Sequence, residues 1–298
     1  MEFVRTQKRR RAGLNVLLAG VFAVALGVAT SVPVAGAAGK VHSVSTTSAT
    51  MGDVTATFTY SGTFPEGQHL HLIIRRKGVE LLNAPVTSAW CVDMCWPNAI
   101  AAGDKVLHVV RLGAGATPDV VLDLYSGGAH CCSIEQVFSF GATSKKVRKS
   151  EYNFGDPGAR LEKIGPRGAT YFVSADDAFA YAFTDFAASG LPIKILAFAD
   201  GSFHDVTRQF PALIARDATQ WLRAFKAQAS SRYQDSVGVA AAWAADEDML
   251  GHRGAVKSFL AEQLKAGHLN STLSPIEPSG ARFVTALQSF LRKYGYAK

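Results

Sequence analysis

The sequence predicts an α+β protein: an N-terminal antiparallel β region, built as open sheets or as an incomplete propeller-like fold, followed by a C-terminal subdomain of three to four helices. Three observations predict it. From Val41 to about Thr207, apolar and β-branched residues alternate with a period of two between clusters of turn-forming residues. After Thr207 the apolar period becomes about 3.6 and alanine becomes frequent. The two regimes do not interleave as they would in a chain of βαβ units.

Residues 1–37 are predicted to be an export signal. Arg5, Lys8, Arg9, Arg10 and Arg11 precede an apolar run from Leu14 to Ala29, and Ala35-Gly36-Ala37 forms a small-residue cleavage site. The mature chain then begins near Ala38, with a β-rich domain over 38–207 and a helical one over 208–298. Removing the signal leaves 26 basic and 23 acidic residues, so the net charge falls from +7 to +3. A balance this even, with no basic block or stripe, gives no case for nucleic-acid binding. No second stretch is long and apolar enough to cross a membrane, and general export in an unfolded state is favoured over the twin-arginine route.

In the β region, Val54–Tyr60, Leu70–Ile74, Val106–Val110, Ile134–Phe140, Thr170–Val173, Phe179–Phe183 and Ile193–Phe198 read as strands. Asp200-Gly201 is the dipeptide of a two-residue type I′ hairpin joining the last of these to Phe203–Val206. Pro118–Cys132 is the stretch around which the region is organised. Val120, Leu122 and Leu124 share one face of an extended segment, while Val121, Asp123 and Tyr125 share the other. Gly127-Gly128 then allows a sharp reversal into His130-Cys131-Cys132. Pro211 suits the first turn of the first helix, and Gly251 and Gly267 sit where helices should end. The stripes Trp221/Leu222/Phe225, Val256/Phe259/Leu260/Leu264 and Phe283/Val284/Leu287/Phe290/Leu291/Tyr294 read as core.

Cys91, Cys95, Cys131 and Cys132 are the whole thiol inventory. In an exported chain they read as two disulfides. Across a trans peptide the Cα atoms of neighbours lie ~3.8 Å apart, below the usual disulfide range, so Cys131 and Cys132 are expected to reach back to the 91/95 segment. Both crossed pairings, 91–131 with 95–132 and 91–132 with 95–131, stay open. Each would close a loop of about 40 residues and contribute of order 2–4 kcal/mol. A zinc site on Cys91, Cys95, His130 and one of the adjacent cysteines is disfavoured by its spacing and by the oxidising compartment.

The segment from about Val106 to Cys132 resembles bacterial secreted proteins that carry a G-G-A-H-C-C signature within FG-GAP or VCBS-like repeats of β-propeller type. Pro118-Asp119-Val120 stands where such repeats carry P-E-V or P-D-V, and Arg111–Thr117 replaces their acidic loop, so the carboxylates that would hold calcium are absent. The resemblance implies a secreted scaffold and brings no catalytic residues with it. At ~40 to 45 residues a blade, residues 38–207 allow at most about four.

No G-x-S-x-G, H-E-x-x-H, P-loop or dinucleotide fingerprint is present. His204-Asp205 near Thr207 reads as a cap, Asp246-Glu247-Asp248 as a solvated face, and Asp176-Asp177 as a turn. Asp123, Tyr125 and His130 are the candidate binding residues, since bridges on either side of the glycine turn would pre-organise them. The expected function is that of a secreted, disulfide-stabilised, non-enzymatic protein that binds an extracellular or envelope component. No cofactor or metal is expected. The alternatives are a hydrolase whose site forms only in three dimensions, marked by a pocket joining His130 or His204 with carboxylates, and a small-ligand carrier with an apolar cavity between the β and helical regions.

Overall fold

The computed structural model describes residues 44–62, 69–91, 95–98, 105–112, 117–128, 131–141, 144–165, 168–231, 235–271 and 277–297. The predicted export signal lies outside them, and so does His130.

The fold is α+β, with three open antiparallel sheets followed by four helices. The first sheet is β1 (Val44–Met51), β2 (Val54–Ser61), β3 (His71–Arg76) and β4 (Val79–Pro85), in that order. The second is built on β7 (Asp119–Tyr125), β8 (Ser133–Ser139) and β9 (Arg148–Gly155). Two short strands, β5 (Trp96–Pro97) and β6 (Leu107–Val110), lie end to end along the free edge of β7. The third is β10 (Ala159–Lys163), β11 (Thr170–Ala175), β12 (Ile193–Ala199) and β13 (Ser202–Asp205). Each sheet is an up-and-down meander in chain order, and none closes on itself.

The strand alternation decides how the sheets stack. On β7, Val120, Leu122 and Leu124 pack with Val54, Phe58, Leu72 and Ile74 of the first sheet, whereas Val121 turns to Phe172, Leu196 and Phe198 of the third. The second sheet is therefore buried on both faces, which is why its strands read as near-continuous apolar runs. Asp200 and Gly201 take positive φ values of 51° and 73°, as the predicted hairpin requires.

The helices are α1 (Pro211–Ala229), α2 (Val237–Met249), α3 (Arg253–Lys265) and α4 (Gly280–Lys293). The first starts at Pro211 as predicted. The second and third end just before Gly251 and Gly267, whose following residues bond back to Glu247 and Gln263 in Schellman caps. The stripes meet in one core with Phe179 and Phe183, apart from Leu264 and Tyr294, which lie at the ends of their helices and are exposed; α2 is the axis of that core, buried along nearly its whole length.

Three further expectations about this fold are corrected. Phe179–Phe183 is not a strand. A 3-10 turn covers Asp177–Phe179, and Tyr181 adopts a φ of 58° and is exposed, so that Phe179 and Phe183 enter the helical core as a pair four residues apart. The acidic run after Ala245 is not a solvated face, because α2 has no solvent side: Asp246 and Asp248 are buried.

The third correction concerns the cysteines. Cys91 pairs with Cys95, their Cα atoms 5.4 Å apart, and Cys131 pairs with its neighbour Cys132. The exclusion of that second pair assumed a trans peptide, whereas this peptide is cis. The loops closed are only four residues and one residue in sequence separation, so the chain entropy removed is far below that of the crossed pairings. Lys105 and Arg111 lie between the two pairs. A tryptic digest under non-reducing conditions is therefore expected to release them on separate peptides, and a peptide joining the 91/95 and 131/132 segments would contradict this pairing.

Candidate functional site

The end of the second sheet holds Asp123 and Tyr125, two of the residues that the sequence singled out. Asp123 stands directly across from Glu135 in the β7–β8 register, and Asn98 continues the row, its backbone N–H bonded to the Asp123 carbonyl at 3.1 Å. The Asn98 amide donates to Asp123 Oδ1 at 2.9 Å and to Ser133 Oγ at 3.2 Å. Glu135 is almost fully buried, and burial followed by the Asp123 charge pushes its carboxyl well above the usual carboxylate range. Tyr125 donates its hydroxyl to the Gly128 carbonyl, closing the glycine turn on itself. Ser126 locks the other side, accepting from the Cys132 N–H at 2.7 Å while its own N–H bonds to the Cys132 carbonyl at 3.0 Å. Asp123 and Tyr125 share one face of β7 as predicted, and both are engaged in these local bonds.

A second polar assembly lies where the third sheet meets the helices. Two clefts of about 360 and 400 Å³ open there and share Ile193 in their walls. The smaller holds Arg160, Glu162, Ser174, Arg216, Asp217 and Trp221, and the larger holds Asp176, Lys194, Asp205, Arg208 and Tyr296.

The larger cleft is organised on Asp176. One carboxylate oxygen accepts from the Ala178 N–H and from Lys194 Nζ, both at 3.2 Å, and the other accepts the buried Tyr296 hydroxyl at 2.7 Å. Tyr296 reaches Asp176 because α4 ends in a Schellman cap. Gly295 takes a φ of 76°, and the Tyr296 N–H folds back to the Leu291 carbonyl at 2.9 Å. Burial and the Asp176 charge push the Tyr296 phenol far above its ordinary value, which keeps it a donor. Burial opposes the charge on Lys194, but Asp176, Tyr152 and Asp205 outweigh it and hold the ammonium above its ordinary value.

Arg208 gives its guanidinium to the carbonyls of Met249, Gly295 and Tyr296 at 2.8 to 3.0 Å, closing the C-terminal ends of α2 and α4 onto the β region. Asp205 accepts from both the N–H and the hydroxyl of Thr207, a local turn bond, and the expected cap is not formed: α1 begins four residues later, at Pro211, and has no side-chain cap. His204 is exposed, and its Nε2 lies 3.3 Å from the Ala199 carbonyl oxygen.

In the smaller cleft Asp217 Oδ2 accepts the Ile193 N–H at 2.8 Å and the Trp221 indole N–H at 3.0 Å. Behind it, Asp246 is fully buried, and burial together with the charge and hydrogen bond of Asp217 pushes its carboxyl up to about 10. Asp246 is therefore held in its protonated form beside Asp217.

Sequence reasoning missed Glu135, Tyr296 and the Asp217–Asp246 pair. Glu135 was visible as an acid in the middle of an apolar strand. Tyr296 gave no signal, since its partner lies 120 residues earlier. Among the described residues no three His, Cys, Asp or Glu side chains come together as metal ligands, and no helix is long and apolar enough to cross a membrane.

Part of the chain is similar to a probable thylakoid lumen protein of Synechocystis sp. strain PCC 6803. The two are 27% identical over 137 residues, which is 45% of this chain and 40% of that relative, so the chain spans less than half of the relative's length. No known family profile and no solved structure matches the chain.

Proposed function

We propose that this chain is an exported, non-enzymatic binding protein and that its ligand, a small polar molecule, sits at the junction of the third sheet and the helices. One observation carries the reading: the charged groups that organise the two junction clefts are already satisfied by one another or by the backbone. Lys194 is neutralised on Asp176, Arg208 on three carbonyls, and Asp217 on two N–H groups and Asp246. A nucleophile needs an adjacent base with spare basicity, and these groups are spent on holding each other. What they leave is a rigid, pre-formed concavity of the size that small ligands occupy. The walls are polar, so the carrier reading is favoured with a polar ligand in place of an apolar one.

Export is supported by the N-terminal sequence, by the paired cysteines, and by similarity to a protein named for the thylakoid lumen, a compartment reached by crossing a membrane. The succession of three antiparallel meanders supports kinship with propeller-type repeats.

The test is a thermal-shift screen with sugars, polyols and amino acids, followed by calorimetry on each hit. Binding is expected to disappear when the occupied cleft is filled, by Gln220→Trp on the rim of the smaller or by Gln209→Trp on the rim of the larger. A hit that both variants bind unchanged, or one that the protein converts to a product, would remove the proposal.

A further inference from the structure

A third cleft lies within the helical region, away from the junction. The groove between α3 and α4 has a volume of about 570 Å³ and a floor of Val256, Leu260, Leu291 and Ala297. Its rim carries three exposed cations, Arg253 and Lys257 from α3 and Arg292 from α4. The one acid in its wall, Asp248, is buried and is faced by Arg208 as well as by Arg253.

This charge arrangement is unfavourable for the free protein. Arg253 opens α3, and Lys257 follows one turn later on the same face, so two like charges sit at i and i+4 at the positive end of the helix dipole. No acidic residue lies in the first turn to offset them, and among the described residues neither cation forms a salt bridge, the attraction of Arg253 for the buried Asp248 being the one acidic contact in the groove. An anion placed between the two helices would relieve the repulsion, and the apolar floor beneath would take a hydrocarbon chain.

We propose that this groove binds a free fatty acid, its chain along the Val256–Leu260–Leu291 floor and its carboxylate among Arg253, Lys257 and Arg292. The charge complementarity selects the anionic head, and the floor selects an alkyl tail over a polar ligand. This site is independent of the junction clefts, so either can fail without the other.

The experiment is calorimetry of the folded protein with dodecanoate below its micelle concentration. Decanoate and dodecyltrimethylammonium serve as comparison ligands, and vesicles of anionic phospholipid are tested by co-sedimentation. Dodecanoate is expected to bind, decanoate to bind more weakly by roughly fourfold for each methylene lost, and the cationic amphiphile not to bind. The double variant Arg253→Glu, Arg292→Glu changes two exposed side chains and should fold normally; it is expected to weaken dodecanoate at least tenfold. Equal binding of both amphiphiles, unchanged binding by the double variant, no binding of dodecanoate, or binding to vesicles in its place would each overturn the assignment.

Discussion

Replacing Asp246 with asparagine is expected to stabilise the protein at neutral pH, by an amount that grows as the pH rises. Asp246 is fully buried beside Asp217, and its carboxyl is pushed up to about 10 from an ordinary value of 3.8. The folded state therefore holds a proton that the unfolded chain releases above pH ~4, and stability falls with rising pH by up to about 1.4 kcal/mol per unit. The stability tied to this proton is complete below the unfolded pKa and is lost progressively until the pH passes the folded one. At pH 7 the loss is roughly 4 kcal/mol as an upper bound. The asparagine amide can still donate to Asp217 and carries no titrating proton. Urea denaturation of both proteins between pH 5 and 9 measures the difference, which should be small at pH 5 and widen steadily. A gap that stays constant across that range would mean that Asp246 is ionised in the fold. Asp119, raised by burial to about 6, and Glu135 act in the same direction in both proteins, so only the difference isolates Asp246.

Gly238→Ala is expected to destabilise by about 3 kcal/mol, the upper part of the range for overpacking a core, even though alanine is the better helix former. The helix α2 and the segment 184–191 approach each other backbone to backbone. A Cβ at Gly238 would lie 2.3 Å from the Ala188 carbonyl oxygen and 2.8 Å from Thr184 Cγ2, and one at Gly190 would lie 2.8 Å from the Gly238 carbonyl oxygen. Neither backbone can give way, since α2 is packed on all sides and Phe183 is fixed in the core. Gly254→Ala supplies the contrast: it lies in α3 with open space around it and should gain up to ~1 kcal/mol. If both substitutions raise the melting temperature alike, the close approach at Gly238 is wrong.

The sequence by itself determined what nearest neighbours along the chain determine. The division into β and helical regions, the Asp200-Gly201 hairpin, the start of α1 at Pro211 and the ends of α2 and α3 before their glycines follow from local periodicity, dihedral preference and capping. Asp123 and Tyr125 on one face of a strand follow in the same way. Only the tertiary structure decided which polar groups are buried and what they face. Asp246 reads as solvated until α2 is seen enclosed. Phe179 and Phe183 read as strand residues until Tyr181 turns outward. Tyr296 reads as the frayed end of a helix until Asp176 is found against it. The cysteines pair within their own segments, which their spacing along the chain did not reveal. Burial and desolvation depend on what packs opposite a residue, and for the polar groups of this protein the opposite partner is in most cases far away along the chain.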